Sequence, residues 1–415
     1  MESKANARSW IIWGLATIFY LYELVLRVSP SVMTNDLMET FNATSTVLGI
    51  LVSFYYYSYT ILQLPCGIIL DKLGPRNLVG VSAVLCIIGA LLFASSDKIY
   101  IAQIGRFLIG AGSACAFVSC LQIAANSFPK KYFVILVGIT NMMGTFGGLL
   151  GGFPIARSVN SIGWRSTTFV LSAIGFVIAV LIFAIIPKTQ KKQEQENRSG
   201  ESAISSVIAL LKNNQVVLPS VISGLMYLTI SVFAELWIVP FFMAKFEINN
   251  ETASLASAVI FIGVAVGSIA LAIFARRIKS YVKTIKFSAI LTALSFLLLI
   301  FVSDNLYSSF VIVFVIGFLT GAQAINFTCA KNNAPEVPGT TVALSNCIVM
   351  LIGAIFQPLI GVLLDFFWTG IIGENGLRVY DAVCYRNAII VIPASLVVAY
   401  LLSFFLKETI HLEHD

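Results

Sequence analysis

Twelve long apolar runs follow one another almost without interruption, and no other feature constrains the fold so strongly. They fall at about 10–33, 46–68, 77–96, 99–127, 132–157, 166–187, 216–243, 252–275, 284–303, 307–330, 339–367 and 385–406. A helix needs ~20 apolar residues to cross a bilayer, and each run supplies roughly that. The membrane interior has no water for unpaired backbone groups, so only helices or closed barrels span it. These runs are continuous rather than alternating, which selects helices. Of the 415 residues only 11% are charged, where a soluble domain would carry ~25%. The expected fold is an all-α membrane protein with hardly any soluble part.

Loops are short, with one exception. Residues 188–212, opening KTQKKQEQENRSGES, show no apolar periodicity and read as a flexible linker. The expected organisation is a six-helix bundle over 1–187, a linker over 188–215, and a second six-helix bundle over 216–415 with a short tail. Eighteen of the 26 Lys and Arg residues then fall on the side of both termini and six on the other, with Arg27 and Arg106 inside the membrane. Cytoplasmic loops are enriched in Lys and Arg, so both termini are expected to be cytoplasmic in a multi-pass protein of the inner membrane. The first run is too long for a signal-peptide core and is kept as a span. The net charge of +6 is accounted for by this sorting and calls for no nucleic-acid partner.

Several chemistries are excluded by what the chain lacks. His411 and His414 are the only histidines, both in the tail, which removes His-based catalysis, haem and most metal sites. The seven cysteines include no CxxC pair and sit mostly in apolar runs, so they are expected to be packing residues rather than a disulfide framework. No phosphate-loop Gly-Lys-Ser/Thr occurs, so ATP-driven transport by this chain alone is excluded. No enzyme, cofactor or metal is expected.

Three pairs of segments echo each other at nearly one distance. Glu23 and Glu235 are 212 apart, each followed by a proline, Pro30 and Pro240. Phe107-Leu108-x-Gly110-Ala111 recurs as Phe318-Leu319-x-Gly321-Ala322, 211 on, and Gly144 and Gly152 match Gly353 and Gly361, 209 on. Agreement on one offset indicates two homologous halves.

The most informative stretch is Tyr20 to Ser31, YLYELVLRVSPS. It lies inside the first apolar run yet carries Glu23 and Arg27, one helical turn apart. A charge near the bilayer centre costs at least ~2.5–3.5 kcal/mol, so both must face protein or water. At i, i+4 they share a face. They are either a structural ion pair or the floor of a solute path, with Glu23 as a proton carrier. Arg106 in the fourth run poses the same question, because a guanidinium stays charged and must find acceptors. Its alternative is an arginine snorkelling to the membrane edge. The second run carries a wet stripe, Ser53, Tyr56, Thr60 and Gln63, flanked by Tyr55, Tyr57 and Tyr59. Asn141, Gln323, Asn326 and Asn346 are further uncharged candidates, and Glu235 lies beside Trp237. For any single Asn or Gln, substrate contact and an interhelical hydrogen bond are equal readings.

Three motifs resemble those of a known family. The loop Gly67-Ile-Ile-Leu-Asp71-Lys72-Leu73-Gly74-Pro75-Arg76 combines a helix-ending glycine, an acid at the membrane edge, a tight turn and basic residues. It resembles the signature loop between spans two and three of the major facilitator superfamily, departing at Pro75 where a basic residue is usual. Gly105-Arg106-x-x-x-Gly110-x-Gly112 is similar to that family's fourth-span segment, whose arginine points into the central path. Gly144, Gly147, Gly148, Gly151 and Gly152, ahead of Pro154, look like its fifth-span hinge. Residues 20–33 and Glu235-Leu-Trp-Ile-Val-Pro240 are similar to the phagosomal transporter branch, which imports amino acids or, in some members, nucleosides.

The resemblance implies twelve helices in two pseudo-symmetric bundles that open a central site to each side in turn. Gly67, Asp71, Gly74, Arg76, Gly144, Gly148 and Gly152 would then serve gating. For an amino-acid zwitterion, Arg27 or Arg106 would hold the carboxylate and Glu23 or Glu235 the ammonium, with Tyr56, Tyr59 and Trp237 against the side chain. A proton taken up by Glu23 or Glu235 would couple import to the gradient, since a desolvated carboxyl can titrate near neutral pH. Import of a nucleoside or dipeptide and export of a siderophore or drug are the alternatives, and a membrane sensor is the reading from a different class. The expected partners are a small-molecule substrate and lipid, and the expected state a monomer.

Overall fold

The computed structural model describes residues 7–187 and 200–410, and their side chains except at 67–73, 130, 131, 134 and 200–204. Among these residues, twelve helices are long and apolar enough to span a membrane. In order they are Ala7–Val32, Ser45–Cys66, Gly74–Ser95, Ile99–Ser127, Ile135–Ile162, Trp164–Ile185, Asn214–Phe246, Asn250–Arg277, Tyr281–Phe301, Leu306–Asn332, Pro338–Phe366 and Ala382–Phe405. They match the expected spans to within a few residues. No strand occurs among the described residues beyond one isolated bridge, Ile372 to Arg378. The expected linker lies outside the described residues up to 199, and its remainder carries a helix, Gly200–Lys212.

The chain divides into two compact units, Met1–Ala43 with Ile50–Lys191, and Thr44–Gly49 with Lys192–Asp415. Thr44–Gly49 belongs to the second because its helix start is capped there. Asp365 accepts from Thr46 N–H at 3.0 Å, and Tyr380 donates its hydroxyl to the same carboxylate. That is what an acid at a helix N-terminus does for unpaired N–H groups.

Each unit is held by glycines at close helix crossings. A Cβ on Gly105 would lie 2.6 Å from Gly89 O, and one on Gly147 would lie 2.5 Å from Leu21 O. Without a hydrophobic drive between helices in lipid, backbone approach at small residues supplies the packing. In the second unit Gly263 lies against Phe314 O in the same way, at 2.5 Å.

Two expectations are corrected. Gly67 does not end its helix. Helical backbone runs on from the second span to Gly74, where φ is 71° and ψ 162°. Glycine takes that conformation without a Cβ clash. The cysteines are also not all plain packing residues, because Cys66 and Cys115 are joined as a disulfide with Cα atoms 5.6 Å apart. Their sequence separation of 49 offered no spacing signal.

Candidate functional site

In the first unit the site is built by a proline. The first span is α-helical to Val28 and tightens to a 3₁₀ turn over Ser29–Val32, with Pro30 in that turn. Pro30 has no N–H to give the carbonyl four residues back, Leu26 O. That carbonyl instead accepts Nη1 of Arg106 at 2.9 Å and the hydroxyl of Ser29 at 3.2 Å. Arg106 Nη2 reaches toward Arg27 O at 3.5 Å. The guanidinium is thus anchored on the broken helix, and its carbon lies 5.3 Å from the centre of the Tyr55 ring.

Around it sit the other sequence candidates. Tyr55 donates its hydroxyl to Glu23 Oε2 at 2.8 Å, and Arg27 Nη2 donates to the Tyr56 hydroxyl at 3.0 Å. Arg27 also lies over the Tyr55 and Tyr56 rings, 5.6 and 5.0 Å from their centres. Tyr59 stacks on Tyr55 with ring centres 5.8 Å apart. Glu23, Arg27, Tyr56, Tyr59 and Arg106 are therefore one buried cluster. Arg106 is 1% exposed, so it does not snorkel to the membrane edge. Charges so buried are held only with hydrogen bonds and partners, which the tyrosines and helix carbonyls supply here. The arrangement brings two guanidiniums and one carboxyl together in one buried place.

Asn141 is set apart, exposed on the fifth span with its amide donating to Val137 O at 3.1 Å.

In the second unit the seventh span is not regular. Thr229–Trp237 is a π-helix, entered from the α-helix Asn214–Leu228 and left into the α-helix Ile238–Phe246. It contains both Glu235 and Trp237, each 1% exposed. Trp237 Nε1 donates to Gln357 O at 3.2 Å, and Gln357 Nε2 donates to Ser231 O at 2.6 Å. Gln323 is half-buried and accepts the Ser223 hydroxyl at 2.9 Å. Asn326 is fully buried, with its amide on Gln323 O and near the Met226 sulfur. Asn346 is half-buried.

Of the gating candidates, the Asp71 side chain lies outside the described residues. Gly67 is helical, Gly74 forms the break, and Arg76 donates to Phe183 O at 2.6 Å. Gly144 packs on Tyr20 and Gly148 is buried beside it in the same span. Gly152 stands where the fifth span is interrupted, between the helices Lys130–Leu150 and Phe153–Ile162.

Residues that sequence reasoning passed over carry part of both sites. Tyr55 was expected only as a flanking ring, yet its hydroxyl holds Glu23. Gln357, and Ser257 of the eighth span, whose hydroxyl donates to Ala234 O at 2.8 Å, were not singled out. A buried amide beside Pro358 in an apolar span was the available signal, since uncompensated polar groups are costly in lipid.

This architecture and these motifs agree with a comparison of the sequence with known families, in which residues 13–358 match the Major Facilitator Superfamily. The chain belongs to that superfamily. Its twelve membrane-length helices make it a multi-pass membrane protein. It is 26% identical to the uncharacterized transporter YybO of Bacillus subtilis (strain 168), over 48% of this chain and 45% of that one. It is 25% identical to the hexuronate transporter of Escherichia coli (strain K12), over 47% of this chain and 46% of that one. The matched stretch spans about half the length of these relatives. Among solved structures, a bacterial homolog of the human lysosomal transporter Spinster, inward-facing and occupied, superimposes with a TM-score of 0.81. That match is 16% identical and covers 97% of both chains. The nucleoside transporter NupG gives a TM-score of 0.76 at 11% identity, covering 95% of this chain and 99% of that one. At such identity these two likenesses speak for the fold alone.

Proposed function

We propose that the chain is a secondary active transporter of the inner membrane, with cytoplasmic termini, that works by alternating access. It imports a small amino acid-like solute together with a proton. The observation that carries this reading is the buried cluster of Glu23, Arg27 and Arg106, held by Tyr55, Tyr56 and the helix broken at Pro30. Two guanidiniums suit a carboxylate, which binds in a bidentate manner. Glu23 and Glu235, at matched positions in the repeat, are the candidates for the ammonium group and the proton. The substrate set also includes Tyr56, Tyr59, Trp237, Gln323, Asn326 and Asn346. Asn141, standing apart, is the weakest member.

A second reading is favoured by one observation. The two fully buried basic residues, among those described, are both arginines of one cluster. That arrangement also suits a solute that is purely anionic, such as the sugar acid named for the hexuronate transporter. Uptake by purified protein in vesicles separates the two. With an acidic exterior, a neutral amino acid should accumulate and glucuronate should not compete. Accumulation of glucuronate alone would replace the amino acid with a sugar acid. Uptake indifferent to pH in the wild type would remove the proton.

A further inference from the structure

The π-helix Thr229–Trp237 needs an explanation of its own. Runs of i→i+5 bonding are rare and occur mostly as single turns near functional sites; this one spans nine residues. Its last bond runs from Ile238 N–H to Phe233 O. A return to i→i+4 bonding at that point passes over the next carbonyl, Ala234 O. Ser257, on the eighth span, donates its hydroxyl to that carbonyl at 2.8 Å. Gln357, on the eleventh span, holds the segment at two further points. Its side chain donates to Ser231 O at 2.6 Å, and its own carbonyl accepts Trp237 Nε1 at 3.2 Å. Gln357 and Ser257 are both fully buried. Pro240 follows three residues beyond the segment and has no N–H with which to continue either register upstream.

These contacts satisfy a carbonyl that the register change leaves over and pin the bulge from two other spans. Converted to α-helix, the segment would lose one residue from its turn. Glu235 would then swing about 100° relative to one end of the span, as 3.6 residues make a turn. We propose that Gln357 and Ser257 are positioning residues for Glu235, holding the seventh span in the register that fixes where its carboxyl points. The proposal deepens the reading of Glu235 as a coupling residue and rests on it for its meaning in transport. The positioning itself is testable without transport.

The test uses the full-length protein in detergent, comparing wild type with Gln357→Met, which keeps the shape and removes the donor. Hydrogen exchange at the amides of 232–239 should accelerate tenfold or more, with the rest of the seventh span within twofold. The infrared carboxyl band assigned to Glu235 by its loss in Glu235→Gln should shift in Gln357→Met. Unchanged exchange and an unchanged band would overturn the proposal. If Gln357→Met does not fold, Ser257→Ala carries the same expectation for exchange at 234–239, with the same overturning result. Uptake separates the two layers. Acid-dependent uptake that persists in Glu235→Gln sinks the proton-carrier reading while the exchange result still decides the positioning.

Discussion

In the first unit Gly110, midway along the fourth span, lies against Tyr55 O of the second span. In the second unit Gly321 lies against Gly267 and Ser268 in the same relation, 211 residues on. The fourth and tenth spans are both interrupted near these glycines, four residues beyond Gly110 at Ala114–Cys115 and at Gly321 itself with Ala322. So the crossing is duplicated, and what surrounds it is not. Where the first unit has Tyr55, whose hydroxyl holds Glu23, the second has Gly267, which holds nothing by its side chain. The first unit buries two arginines; the second fully buries no Lys or Arg among its described residues, and carries Glu235 in a π-helix that also contains Phe233 and Trp237. Backbone approach tolerates little change once set, whereas side chains on the same scaffold can diverge, and a functional site is where they do.

The largest expected effect tests that division of labour. Arg106→Lys and Arg27→Lys each keep the charge but lose the planar fork. Breaking a buried charged network costs about 3–5 kcal/mol, so uptake at low substrate should fall on the order of 100-fold or more. Gln323→Ala in the second unit should cost about tenfold or less, since a polar contact between spans averages ~0.6 kcal/mol. Equal losses in all three variants would break the comparison. Next come the glycines. Gly110→Ala and Gly321→Ala should destabilise by similar amounts, about 1–3 kcal/mol each for overpacking, read as matched drops in melting temperature. A large drop in one and none in the other would mean that the duplicated crossing is not shared packing.

How much of this was legible follows from which interactions leave a trace in one dimension. Span number and the repeat were readable because lipid enforces length and apolarity on every span. Glu23, Arg27 and Arg106 stood out because charge is so costly in an apolar run. The role of Pro30 was not readable, because it depends on Arg106 reaching Leu26 O from 80 residues away. The π register had no local mark beyond Pro240, being held by Gln357 and Ser257 from other spans. The break at Gly74 rather than Gly67 did leave a mark, since Pro75 disfavours helical backbone in the residue before it.

Pro30 gives a smaller and sharper test. Pro30→Ala restores an N–H able to reach Leu26 O and so competes with Arg106 for that carbonyl. Arg106 keeps its burial and charge, so uptake should weaken about three- to tenfold, seen mainly in KM, as one hydrogen bond to a charged group is worth ~1.5–3 kcal/mol and is only partly lost. Pro240→Ala has no such arginine to displace. It should instead alter the π segment that precedes it, raising exchange at 232–239. A KM effect of equal size from both prolines would argue that they do the same job in the two units.

The smallest effect lies at the end of the second unit, where Glu408 caps the ninth span. Its carboxylate accepts from the Ser280 hydroxyl at 2.6 Å and from Tyr281 and Val282 N–H at 3.1 and 3.2 Å. Burial alone would raise this carboxyl, but these bonds and that from Ile410 N–H outweigh it and hold it below the usual range. A carboxyl depressed by folding contributes stability that is complete above its unfolded value, ~4.3. That contribution is lost as pH falls through the lower folded value. Glu408→Gln should therefore cost about 1 kcal/mol, the worth of a helix cap, and lower the melting temperature by about 2–4 °C at neutral pH. The gap between variant and wild type should hold from pH 8 to about 5 and close progressively below about 4. A gap that stayed constant down to pH 3 would mean that Glu408 acts by shape rather than charge, and its place at the start of the ninth span would then be packing alone.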